Sequence, residues 1–259
     1  DPSVDLDSNG DGDIDSLSFL VSGEDDGWNS LLWPHQWSLY TYFNGSEYTA
    51  DAPMINGSYA YSYTMQLLGN TTKYNNKVDV FVLAHEMFHV LGATDLYHYY
   101  GYDYIENVEQ WGLMDYNATI PSHMLGYMKE YYGHWIDQVD QITTTGTYTL
   151  YPLSESRDNL YRIDTGYSNE FVYLEYRKRT GLYESQLPDS GLIAYRVDFD
   201  NAGEGNVDGY YGSNGESSNE VFVFRPGISD MIPPIEFPET TFNDNFDGNI
   251  SLAAMSNNN

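Results

Sequence analysis

The chain contains no cysteine, so disulfides are excluded. That suits export from an organism that stabilises secreted proteins with metal ions, and it equally suits a reducing cytosol. Basic residues are scarce: Lys and Arg number 10 against 39 Asp and Glu, for a net charge of −29 and a pI of about 4.1. Residues 1–72 hold no Lys or Arg at all. A surface this acidic does not bind phosphate backbones, and anionic lipid repels it, so nucleic-acid and membrane-surface partners are excluded. No apolar run approaches the roughly 18 residues of a membrane span, and no membrane insertion is expected. The first residue is Asp1 rather than Met, which suggests either a processed product or a piece of a longer chain, with any targeting segment out of view.

What is present is enough to fold. The 259 residues are 41% hydrophobic and 16% aromatic, with 26 Tyr, which separates the chain from disordered acidic tails. The length suits one large domain or two modest ones.

The acids of the N-terminal stretch are patterned. From Asp7 the sequence runs DSNGDGDIDSLS. Asp7, Asn9 and Asp11 take positions 1, 3 and 5 of a calcium loop, Gly12 its sharp turn and Ile14 its apolar position. Asp13 is placed to offer a backbone carbonyl, and Asp15 stands at position 9. Ser18 replaces the closing Glu, so Asp5 or a distant carboxylate would have to complete the shell. The alternative is a solvated acidic turn. A strand, Leu17 to Val21, is expected to follow.

The sharpest motif is HEMFHVLGATD, His85 to Asp95. The apolar run before it predicts a helix from about Asp79 to Leu91, with Asn76 as a candidate N-cap and Gly92 as its stop. His85 and His89 then stand one above the other at i and i+4, a spacing that chelates one zinc ion. Glu86, one position round, can reach a zinc-activated water without being a ligand. Gly92 turns the chain back so that Asp95 arrives as a third ligand. Glu106 and Glu109 are the competing candidates for that place.

Downstream stands WGLMDYN, Trp111 to Asn117. With HEMFHVLGATD it resembles the metzincin clan. The Asp at the third ligand position, together with DSNGDGDID, LWPHQW, PSHMLGYMKEYYGHW, EYRKRTGLYESQLP and SGLIAYRVD, is similar to the immune inhibitor A family of secreted bacterial metallopeptidases. The similar stretches extend from Asp7 to Asp198. The resemblance implies zinc held by His85, His89 and Asp95, with Glu86 as general base. It implies Met114 as the floor of a Met-turn and Tyr116 as a residue that touches zinc or steadies the oxyanion. It also implies calcium in the acidic loop, extracellular location and protein or peptide substrates. The family's strand and helix before the acidic loop are not in this sequence: either the mature enzyme is cleaved there, or an upstream segment or propeptide, on this chain or another, carries them.

The remaining elements are read from pattern. SYAYSYTMQ, Ser58 to Gln66, alternates polar and aromatic residues and is a candidate edge strand for an extended substrate. A second helix is expected over about Ser122 to Tyr132, N-capped by Ser122, with Met124, Leu125 and Met128 as its apolar stripe. His35, His98, His123 and His134 are read as structural. After Gln141, five period-two stretches read as strands. Asp198 to Asp208 offers either a second calcium site or a solvated loop, and Arg177, Lys178 and Arg179 form a basic spot paired to acids.

The expected fold is therefore α+β: a metzincin-like zinc peptidase, its active-site helix beside a twisted sheet, in residues 1–145, and a β-rich subdomain in 146–259. The expected function is a secreted zinc metalloendopeptidase, with broad or narrow substrate range. The rival is a non-enzymatic, calcium-stabilised cell-surface binding module with a vestigial zinc site, against which the intact Glu86 argues.

Overall fold

The structure is a computed structural model. It describes residues 3–23, 33–39, 53–68, 78–99, 108–115, 120–154, 159–206 and 219–224, and the backbone of a strand at 249–252. The architecture is mixed α and β, mostly sheet with few helices. The chain falls into two compact units, residues 1–92 and 93–259.

In the first unit the strands are β1 (Ser18–Ser22), β2 (His35–Ser38), β3 (Met54–Ile55), β4 (Ser58–Tyr59) and β5 (Ser62–Leu68), followed by helix α1 (Val80–Val90). The three-stranded sheet runs in the order β1-β5-β2, with β1 parallel and β2 antiparallel to β5. The expectation that Ser58 to Gln66 forms one edge strand fails. Its first part is half of the β3–β4 hairpin, and β5 is the central strand of its sheet, paired with β2 over Ser62–Met65 and with β1 over Thr64–Leu68.

Helix α1 forms where the sequence predicts it. Its N-cap is Asp79 rather than Asn76, which lies outside the described residues. The Asp79 carboxylate accepts from the amides of Phe81 (2.9 Å) and Val82 (3.4 Å), two of the donors a helix start leaves unmet. Phe81, His85 and Phe88 make a buried stripe at i, i+4 and i+7. Burial of the two Phe rings contributes about 1.5–3 kcal/mol each. Gly92 ends the helix at φ +91°, the left-handed conformation that glycine adopts without strain, and its amide bonds to the His89 carbonyl (2.9 Å).

The second unit contains α2 (Gly126–Tyr131), β6 (Asp140–Gln141), β7 (Gly146–Thr149), β8 (Leu160–Asp164), β9 (Glu170–Arg177), β10 (Gly191–Asp198), β11 (Val221–Val223) and β12 (Asn249–Leu252). The main sheet has the order β11-β10-β9-β8-β6, and β12 pairs with β7. The five stretches read as strands all contain one. Both faces of β9 and β10 are covered. Val172, Leu174, Tyr176, Leu192 and Ala194 pack into one core, and Tyr173 stacks on Tyr195 on the opposite face with ring centroids 5.7 Å apart. The compact units divide at 92/93, whereas the sequence reading places its boundary at 145/146. Arg177 of β9 bonds to the carbonyls of Trp111 and His123, so the backbone at those two residues is tied to the sheet.

That same network shortens the second helix. The Glu184 carboxylate takes the His123 amide (3.1 Å), and the Glu175 carboxylate takes the Gly126 amide (2.7 Å). Backbone groups that would open a helix at Ser122 are thus engaged by the sheet, and α2 starts four residues later with Leu125 at its N-cap position.

Candidate metal centre

Helix α1 presents His85 and His89 on one face, their ring centroids 4.8 Å apart and nearly perpendicular. Phe81 stacks on His85 one turn earlier, at 5.9 Å between centroids, and limits the ring's rotation. Beyond the Gly92 turn comes Asp95. His85, His89 and Asp95 each offer a ligand atom, and the three atoms lie within 4.8 Å of one another. His85 and Asp95 are buried and His89 is half-buried. Two imidazole nitrogens and one carboxylate oxygen, converging and shielded, are a donor set that a divalent transition metal accepts, zinc among them.

The Asp95 carboxylate is oriented by its neighbours. The Tyr99 hydroxyl donates to its Oδ2 at 2.5 Å. Burial, and then the Asp95 charge, hold the Tyr97 hydroxyl far above the usual tyrosine range, so it stays protonated beside the carboxylate. A hydroxyl donated to a ligating carboxylate fixes which oxygen faces the metal.

Glu86 is buried on the same helix and stands outside the cluster of converging ligand atoms. Glu109 does not join it either, while Glu106 lies outside the described residues. Met114 is fully buried, and its carbonyl accepts the Leu96 amide (2.8 Å), so the Met-bearing turn braces the residue next to Asp95. The Asp115 carboxylate closes that turn by accepting from the amides of Val108 (2.8 Å) and Glu109 (2.6 Å). Tyr116 lies outside the described residues.

The other histidines stand apart from the cluster. His35 bridges the Trp33 carbonyl and the Tyr63 hydroxyl, and His98 meets Asn219 at 2.8 Å. Burial and the neighbouring Lys129 push the His123 imidazole down to about 4. His134 lines a cleft of about 520 Å³ with Glu130, Tyr131, Arg162 and Phe199.

The acidic loop folds around its first residue. Asp7 accepts from the amides of Gly10 (2.8 Å), Asp11 (3.0 Å) and Gly12 (2.9 Å), and Gly12 turns at φ +95°. Ile14 is buried and ties the loop to β4, its amide donating to the Tyr59 carbonyl (2.8 Å). Asp15 gives Oδ2 to the amide and hydroxyl of Ser8, whose bonds hold its carboxyl below the ordinary range. Asp7, Asn9, Asp11 and Asp13 supply oxygen donors of the kind calcium prefers. Among the described residues these acids do not form a second converging cluster.

Two readings change on contact with the structure. Arg177 is paired to acids as the sequence suggests, through Glu175 and Glu184, but inside the protein rather than in one spot with Lys178 and Arg179. It is fully buried, while Lys178 and Arg179 are exposed. The described part of the 198–208 run is neither a converging acidic cluster nor a freely solvated loop, because Gly205 and Asn206 are buried against the Asp95 backbone. Tyr99, Asn206 and Glu220 bear on the site and carry no sequence signal: tyrosine is everywhere in this chain, and the other two lie more than 100 residues from Asp95.

Compared with protein-family models, with curated proteins and with solved structures, the chain finds no match. The resemblance to the immune inhibitor A family rests on its motifs alone.

Proposed function

We propose that the chain is a secreted, zinc-dependent metalloendopeptidase of the metzincin type, similar to the immune inhibitor A family. The observation that carries this reading is the convergence of His85, His89 and Asp95, with Glu86 buried between the two histidines in sequence. Zinc bound there would lower the pKa of a water toward neutrality and polarise a peptide carbonyl. His85 and His89 offer imidazole nitrogens held in place by one helix, and Asp95 offers a carboxylate oriented by Tyr99. Glu86 takes the proton of the attacking water on a carboxylate oxygen and returns it to the leaving amine nitrogen. Tyr116, carried over from the resemblance, steadies the developing oxyanion with its hydroxyl. Protein or peptide substrates are what the resemblance implies.

The acidic loop is proposed to bind calcium through Asp7, Asn9, Asp11, Asp13 and Asp15, stapling a chain that has no disulfides. Its support is the donor chemistry and the turn at Gly12.

Metal analysis with casein cleavage, with and without a zinc-selective chelator, tests the reading. Zinc near one per chain with chelator-sensitive cleavage is expected. A chain that takes up no zinc refutes it, and one that takes up zinc but cleaves nothing supports the binding-module alternative.

A further inference from the structure

Asp95 is the ligand without helical support. It follows the Gly92 turn in a stretch of irregular backbone, so its position depends on what grips residues 94–96. The Asn206 amide donates to the Asp95 carbonyl (2.9 Å), and Asn206 Nδ2 donates to the Leu96 carbonyl (2.9 Å). The Thr94 hydroxyl donates to Glu220 Oε2 (3.1 Å). Glu220 is fully buried and takes four more donors: the amides of Gly203 (3.1 Å) and Gly205 (2.9 Å) at Oε2, and the hydroxyls of Tyr127 (2.9 Å) and Tyr132 (2.6 Å) at Oε1. Burial first, and the Glu220 charge second, keep both tyrosines protonated and therefore donating.

The contact is too close for any side chain. Gly205 has φ +67°, and a Cβ on it would lie 2.3 Å from the Asp95 carbonyl oxygen and 2.8 Å from the Thr94 side chain. A backbone oxygen cannot swing aside as a flexible side chain could, so a methyl group here has to displace Asp95 or the loop itself.

We infer that the Gly203–Asn206 loop, fastened by Glu220, is a clamp that sets where Asp95 stands as third metal ligand, making Gly205, Asn206 and Glu220 positioning residues of the metal centre. The inference rests on the proposed zinc reading of that centre. It also says why an apolar-rich strand entry carries a buried Glu220: the carboxylate ties residues 94, 127, 132, 203 and 205 to one point beside the site.

The test is zinc affinity by chelator competition on the full chain for wild type, Gly205→Ala and Gly166→Ala. Visible absorption of the cobalt-substituted proteins reports ligand geometry, and far-UV circular dichroism reports fold. Gly166 is the control: it too is left-handed, at φ +85°, but a Cβ there meets nothing within 4 Å. Gly205→Ala should weaken zinc about tenfold or more and alter the cobalt spectrum with the fold retained, while Gly166→Ala changes neither. Equal zinc affinity in the two variants overturns the clamp. If Gly205→Ala does not fold, Thr94→Val decides, since it removes the hydroxyl bonded to Glu220 at nearly constant volume. Severalfold weaker zinc supports the clamp and unchanged zinc overturns it. Wild type that binds no zinc refutes the metal centre and the clamp with it, whereas wild type that binds zinc beside an unaffected Gly205→Ala refutes the clamp alone.

Discussion

Replacing Arg177 with Met should destabilise the second unit severely. The guanidinium is fully buried and every donor direction is used: Nε and Nη2 to the two oxygens of Glu184 at 2.7 Å each, Nη1 to Glu175 (3.1 Å) and the Trp111 carbonyl (2.6 Å), and Nη2 also to the His123 carbonyl (3.2 Å). Met matches the aliphatic stem and supplies none of these. Two carboxylates, 0% and 3% exposed, then lose their cation. Removing one partner of a buried pair costs about 3–5 kcal/mol, because the charge left behind is uncompensated. For a unit of this size each kcal/mol moves Tm by about 2–4 °C, so a fall of roughly 6–20 °C is expected in a near-UV circular dichroism melt at pH 7. A pH dependence adds a second check. In wild type, burial raises the Glu184 carboxyl and the Arg177 charge more than offsets it, so its pKa lies below the ordinary value. Without Arg177 the raising effect of burial, the largest cause, is opposed only by His123, and the carboxyl rises. The folded variant then binds a proton more readily than the unfolded chain, and the deficit against wild type should shrink as pH falls from 7 to 5. A loss under about 1 kcal/mol, or a deficit that grows on acidification, would refute the claim that this network is a buried, charge-balanced anchor.

Calcium titrated into a thermal melt should raise Tm, by an amount corresponding to about 2.7 kcal/mol when the free ion is a hundredfold above its dissociation constant. Asp7→Asn should abolish the rise, and a wild-type melt indifferent to calcium contradicts the loop as an ion site. His123, held down to about 4 by burial, binds its proton more readily in the unfolded chain. Its contribution is present above the unfolded value and lost as pH falls from about 6.5 towards 4. His123→Gln should therefore gain in Tm relative to wild type between pH 7 and pH 5. A constant difference across that range contradicts the assignment.

The sequence carried the local half of this structure and little of the long-range half. Helix α1 was legible because the twelve residues from Phe81 to Gly92 contain its apolar stripe, its histidine pair and its glycine stop. Even there two residues could cap it, and Asp79 rather than Asn76 is bonded to the first amides. Strands β8 to β11 were legible from β-branched and aromatic runs. The burial of β9 and β10 on both faces was not, since Arg177 and Glu175 lie within one such run and look like surface residues until Glu184 is folded back on them. The same network makes the second helix begin late, at Gly126, where propensity would have opened it at Ser122. The approach of Gly205 to Asp95 was invisible for a related reason: it is made through backbone atoms across about 110 residues, and backbone contacts leave no period in a sequence. Within the candidate metal centre, spacing brought His85, His89 and Asp95 together, and Tyr99, which bonds the Asp95 carboxylate, was lost among 26 tyrosines.

The central claim is that a zinc ion held by His85, His89 and Asp95 works with Glu86 to cleave peptide bonds. The most direct measurement compares wild type with Glu86→Gln, both zinc-loaded, for zinc content, fold and casein cleavage. The account predicts equal zinc, equal circular dichroism and a loss of essentially all cleavage in the variant. Cleavage by Glu86→Gln at the wild-type rate would contradict it.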